Sequence, residues 1–147
     1  MHHRDHACWD GIQLVSTDVT GGKRDDSMIV DGYQYVTACE AMLAQMLIGM
    51  KIPFTPNVSF DVVMRGGAIT RAFVPDIVFN CRAFLWRDSR TETLIHGLEA
   101  KGRNHSRTNR KIRLLAEQRG IVIKLLNNGQ IRRLFRTGIL PLRPFYP

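Results

Sequence analysis

The stretch GLEAKGR, residues 97–103, follows the apolar run TLI at 93–95 and a histidine, and its reading decides the fold. A strand heading into a core should end in apolar side chains, yet this one carries Glu99, one small residue, and Lys101. Upstream, AFVPDIVFN at 72–80 sets Asp76 in the middle of an apolar segment. Both stretches read as strands, with the polar RDSRTE at 87–92 as the turn between them. A turn centred between Arg87 and Asp88 makes the numbers of opposed residues sum to 175. Asp76 then faces Glu99, Pro75 faces Ala100, Ile77 faces Leu98 and Phe79 faces His96. One face is mostly apolar; the other holds Asp76 beside Glu99, with Lys101 two residues on and pointing the same way. A slip of one residue would separate them.

Two carboxylates opposed on a sheet repel each other unless a cation lies between them. The compensation available is Lys101 or a divalent metal. Hard cations such as Mg²⁺ take carboxylate, carbonyl and water oxygens, often with only one or two protein carboxylates. Lys101 could steer or help deprotonate an attacking water, and its charge would favour a phosphate, which is the chemistry of phosphodiester hydrolysis. The plainer alternatives are a turn role for Asp76 after Pro75 and a surface ion pair for Glu99 with Lys101.

The charge distribution points the same way. Residues 101–147 hold twelve Lys or Arg against one acid, Glu117, for +11, while residues 1–100 hold nine basic and twelve acidic residues, for −3; the halves sum to +8. A basic half of this density predicts an anionic polymer as partner, nucleic acid before any other, with binding that weakens as salt rises. No apolar run is long enough to cross a membrane, and MHHRDHACWDG lacks the apolar core of a signal peptide. Cys8, Cys39 and Cys81 suit neither a disulfide framework nor a zinc site, which gives a cytoplasmic expectation.

Along the 147 residues, 1–32 read as a polar arm or hairpin with TGGKRDD at 20–26 as its turn, 33–138 as one folded core, and 139–147 as an irregular tail. The histidines His2, His3 and His6 read as solvated. A helix starts at Thr37, where Thr37 and Glu40 form a capping-box pattern, and ends near Gly49 and Pro53. NVSFDVV at 57–63 reads as a first strand, RGG at 65–67 as a turn, AITRAFVPDIVFN at 68–80 as a second strand, and TETLIHGLEAK at 91–101 as a third. RTNRKIRLLAEQRG at 107–120 is a basic helix, IVIKLL a buried strand, and NNGQIRRLFRTG a short basic helix with Ile131, Leu134 and Phe135 turned inward. The order α-β-β-β-α-β-α predicts an α/β fold, a mixed sheet with helices on both faces.

Pro75-Asp76 and Glu99-Ala100-Lys101, between a helix carrying Glu40 and the basic helix from Arg107, resemble the PD-(D/E)XK nuclease superfamily, with its restriction-endonuclease-like fold, over roughly residues 33–126. The resemblance implies that Asp76, Glu99 and the carbonyl of Ala100 bind Mg²⁺ (or Mn²⁺), and that Lys101 positions or activates the attacking water. Glu40 matches the helix acid that reaches the site in many members, although the helix cap alone explains a glutamate there. Asp61 is a further acid that an exposed strand face would equally explain. The following helix implies a nucleic-acid surface of Arg103, His105, Arg107, Arg110 and Lys111, with His105 a second candidate base. The expected activity is a small endonuclease on duplex or branched DNA, working as a homodimer or higher oligomer, of the homing-endonuclease, Holliday-junction-resolvase or phage and mobile-element type. A non-catalytic nucleic-acid-binding protein and an RNA-directed nuclease are the alternatives.

Overall fold

The structure is a computed structural model that describes residues 7–9, 12–14, 28–64, 70–80, 82–102 and 106–145. Its elements in chain order are β1 (Ala7–Trp9), β2 (Ile12–Leu14), β3 (Ile29–Val30), β4 (Tyr33–Gln34), α1 (Ala38–Gly49), β5 (Phe54–Pro56), β6 (Phe60–Val63), β7 (Thr70–Phe73), β8 (Ile77–Phe79), β9 (Phe84–Arg87), β10 (Glu92–Ile95), β11 (Gly97–Lys101), α2 (Ser106–Arg119), β12 (Ile123–Asn127), α3 (Asn128–Thr137) and β13 (Leu142–Pro144). The chain is therefore mixed α/β, as expected. The helix and strand order around 97–127 also follows the pattern read from sequence.

The central sheet has four strands in the order β12-β11-β8-β5. β5 and β11 both run antiparallel to β8, whereas β12 joins β11 in parallel through the α2 crossover. Two apolar clusters cover its faces. On one face α1 packs Leu43, Ala44 and Leu47 with Ile77, Phe79, Leu98, Leu126 and Ile131 of α3. On the other, Leu115 of α2 packs with Val78, Ile121 and Ile123. Neighbouring residues Ile77 and Val78 thus serve opposite clusters, as strand alternation requires. No helix of the described residues is long and apolar enough to cross a membrane.

The register across β8 and β11 is Gly97↔Val78 and Leu98↔Ile77, the pairing that sums to 175. The reason given for it from sequence is incomplete. The turn belongs to the hairpin of β9 and β10, whose pairs run from Glu92↔Arg87 to Ile95↔Phe84 and sum to 179. The Phe79 N–H still donates to the His96 carbonyl, whereas Phe84 already pairs with Ile95, so the register shifts by four between Phe79 and Phe84. The shift lets β9 and β10 leave the central sheet and form a separate one with β13, in the order β10-β9-β13. The expected irregular tail therefore contributes a strand, and Arg143 on it forms an ion pair with Glu92 across β9.

The first central strand is a second departure. It is the FTP of β5, which looked like the aftermath of a helix, and not NVSFDVV. The latter supplies β6, which pairs with β7 in its own ladder, Phe60↔Phe73 to Val63↔Thr70. Gln118 of α2 fixes that ladder's edge: its Oε1 accepts from the Val63 N–H at 2.9 Å and its Nε2 donates to the Val63 carbonyl at 2.7 Å. Residues 65–69, including the expected RGG turn, lie outside the described residues, as do TGGKRDD and His2, His3 and His6. The N-terminal part shows two short antiparallel ladders, β1 with β2 and β3 with β4.

Gly97 allows β8 and β11 to approach. A Cβ there would lie 2.2 Å from the Ile77 carbonyl oxygen, a backbone atom that no rotamer change can move. Gly97→Ala should therefore cost about 3 kcal/mol or more, because the ladder must shift to admit a methyl group. A fall in melting temperature on the order of 10 °C is expected in thermal unfolding; an unchanged value would mean the two strands are looser than they stand here.

Candidate active site

The β8–β11 ladder stops at Leu98↔Ile77. Beyond that pair, side chains replace backbone partners. The Asp76 N–H donates to Glu99 Oε1 at 2.9 Å, and the Ala100 N–H donates to Asp76 Oδ2 at 2.7 Å. Each acid thus continues the ladder for one step, and the two carboxylates are held together by backbone bonds. In an extended strand the N–H and C=O of one residue point to the same side, so the Ala100 carbonyl looks toward Asp76 as its N–H does. The backbone of Asp76 is fixed from behind as well, since its carbonyl accepts from the Asn57 N–H at 3.0 Å.

Glu40 joins from α1. Thr37 caps that helix, accepting from the Glu40 N–H at 3.2 Å, and its hydroxyl donates back to Glu40 Oε2 at 2.7 Å. The two readings of Glu40, cap and site, are therefore not alternatives in space. The same carboxyl that meets the cap residue also feels the charge of Asp76, as Asp76 feels that of Glu99. Glu40 and Glu99 are each only 6% exposed.

All three acids are raised above their ordinary values, chiefly by burial. Burial, followed by the charge of Asp76, pushes Glu40 up to about 8. Burial and the neighbouring Glu99 push Asp76 well above the usual carboxylate range, although the Ala100 N–H works the other way. Glu99 is raised by burial, and its bonds from Asp76 and the charge of Lys101 partly offset this. Lys101 extends beyond Glu99 on the same face of β11 and acts on it by charge; no ion pair to Lys101 forms among the described residues.

The donor set, two carboxylates and a carbonyl at a strand end, suits a hard divalent cation better than a soft one. Among the described residues no three His, Cys, Asp or Glu side chains stand as a ready-made metal cage. That is compatible with Mg²⁺, which keeps several waters and needs few protein ligands.

The other expected residues fall elsewhere. Asp61 is exposed on β6, paired with Ala72 in the outer ladder and apart from the three acids. Arg107 and Arg110 are exposed on α2. Lys111 is half-buried and donates to the Ala72 carbonyl at 3.3 Å, so it tethers the β6–β7 ladder to α2. Arg103 and His105 lie outside the described residues.

Sequence reading passed over Asn57. It is buried, takes a left-handed backbone conformation at φ 53°, and donates from Nδ2 to the Tyr33 hydroxyl at 2.6 Å. The usable signal was an asparagine directly after a strand-ending proline, since Asn tolerates that conformation better than most residues. Asn57→Ala should destabilise by about 1–2 kcal/mol more than Asn57→Gly, because glycine keeps the backbone free and both lose the tyrosine contact. Equal unfolding midpoints for the two variants would remove the strain from this account.

No family model, no curated protein and no solved structure matches the chain.

Proposed function

We propose that this protein is a metal-dependent endonuclease that hydrolyses phosphodiester bonds in DNA. The observation that carries the reading is the pair Asp76 and Glu99, each bound to the other strand's backbone at the end of a ladder, with Lys101 just beyond. A sheet that ends in two crossed carboxylates carries an electrostatic penalty with no structural benefit that an Asn or Gln would not supply equally. Support comes also from the strand order and directions of the central sheet, which suit the restriction-endonuclease-like arrangement, and from the basic C-terminal half.

On this reading Asp76, Glu99 and the Ala100 carbonyl hold Mg²⁺ or Mn²⁺, and Glu40 tunes the pair from behind. The ion, when bound, supplies charge to offset the phosphate and acidifies a water. Lys101 orients the attacking water or takes up its proton, and its cationic form draws the scissile phosphate toward the acids. Arg107 and Arg110 stand on the exposed face of the next helix, where guanidinium groups can bind backbone phosphates. The subclass of nuclease and a homodimeric assembly, which would bring two such sites to two strands, belong to the same proposal.

The test is cleavage of supercoiled plasmid and of a four-way junction, with Mg²⁺ or with EDTA. Metal-dependent conversion to nicked or linear product supports the reading. Salt-sensitive DNA binding with no cleavage in any divalent metal, on any of a set of duplex and branched substrates, favours the non-catalytic binding protein instead.

A further inference from the structure

The two basic helices do not share a face of the sheet. α2 packs through Leu115 on the Val78 and Ile123 side, and α3 packs through Ile131 with Leu98 and Leu126 on the α1 side. Both nevertheless start at the same end. α2 follows the C-terminal end of β11 after Gly102, and α3 begins directly from β12, with Asn127 as its cap and register partner of Lys101. That is the end where the acids lie.

α3 was expected to turn Phe135 inward, but Phe135 is exposed. The helix buries Ile131 and leaves Arg132, Arg133 and Arg136 in water, all within one stripe at helical spacing. Among the described residues none of the three arginines forms an ion pair. Asn127 and Gln130 satisfy the helix start with a full capping box, so no acidic side chain is used there. Arg132 sits on the α1 side: burial raises the Cys39 thiol, and the charge of Arg132 opposes it. Cys39 directly precedes Glu40, so the stripe begins close to the acid cluster.

We propose that α3 is a second nucleic-acid-binding surface, and that DNA lies across the end of the central sheet, gripped by Arg107 and Arg110 on one side and by Arg132, Arg133 and Arg136 on the other. The proposal rests on the nuclease reading above and extends it to how the substrate is held. Helix, sheet and helix layers packed at about 10 Å each put the two helix axes roughly 20 Å apart. That is on the order of six base pairs of duplex rise, so both helices can reach one DNA segment with the acids between them.

The experiment is a salt titration of DNA binding in EDTA, which separates binding from cleavage. It compares wild type with R132Q/R133Q/R136Q and with R107Q/R110Q, using a 40-base-pair duplex and a four-way junction. All five positions are exposed, and unchanged thermal unfolding verifies that the variants fold. The expected result for the α3 triple variant is a shallower log–log salt slope, by about 2–3, and a loss of affinity on the order of 100-fold at 0.1 M salt. Wild-type affinity and slope in the α3 variant, with both reduced in R107Q/R110Q, would overturn the second surface and leave the nuclease reading intact. No salt-dependent binding by the wild type would overturn both.

Discussion

Lys101→Ala is expected to abolish metal-dependent DNA cleavage, by a factor of about 10³ or more, while Mn²⁺ binding survives. This is the expected result if the site works as its geometry suggests, because the two halves of the site are separable. Asp76 and Glu99 are fixed by backbone hydrogen bonds at 2.7 and 2.9 Å that do not involve Lys101. Removing the lysine therefore leaves the acids in place and takes away the group proposed to act on the attacking water. General acid–base assistance contributes roughly 10²–10⁴-fold, and loss of a nearby cation adds to it. Asp76→Asn is the contrasting variant. Its amide can still accept from the Ala100 N–H, so the fold should hold, but one charge of the metal pair is gone. It should lose both cleavage and Mn²⁺ binding, read by calorimetry, while DNA binding in EDTA stays equal or tightens. If Lys101→Ala and Asp76→Asn both cut at wild-type rates, the acids are structural and the assignment fails.

The sequence placed Asp76 opposite Glu99 from period-2 alternation and a turn assumed between Arg87 and Asp88. It hid the shift of four between Phe79 and Phe84, since nothing in the composition there marks a change of register. The register nonetheless agrees, because the sequence placed the turn two residues before its position in the β9–β10 ladder, and the register shift compensates. Other misses have more local causes. Phe54–Pro56 is short, follows Pro53 and ends in a proline, so no periodicity announced the first central strand. Asp31-Gly32 is a two-residue hairpin turn, with φ of 49° and 79°, and the pair is a strong hairpin signal that the sequence reading passed over. Lys111 was grouped with Arg107 and Arg110 by charge alone, whereas the helix turns it toward the β7 backbone. Three-dimensional crowding of the acids was least legible: Glu40 lies 36 residues from Asp76, and only the packing of α1 on the sheet brings their carboxyls together.

That crowding makes a prediction that needs no substrate. The pKa of Glu40 rises from an ordinary 4.5 to about 8 on folding. The folded state thus holds the proton more tightly than the unfolded chain does. The stabilisation from that proton is complete below about 4.5, and it is lost as pH rises toward and through about 8. Asp76 and Glu99 shift in the same direction and add to the trend. Falling net positive charge acts oppositely over the same range, so the wild-type curve alone is ambiguous, and the difference from Glu40→Gln isolates the effect. Glutamine can still accept from the Thr37 hydroxyl and donate to Asp76, but it has no proton to lose. In EDTA the variant should match wild type near pH 5 and exceed it by about 3 kcal/mol at pH 8.5, close to 10 °C in melting temperature. Adding Mn²⁺ at pH 8.5 should narrow the gap, because a cation between the carboxylates relieves the repulsion that the wild type alone suffers, and binding should release protons as it does so. A gap independent of pH would mean that Glu40 is neutral or solvated throughout. A gap that opens with pH but ignores Mn²⁺ would keep the crowded acids and remove the metal.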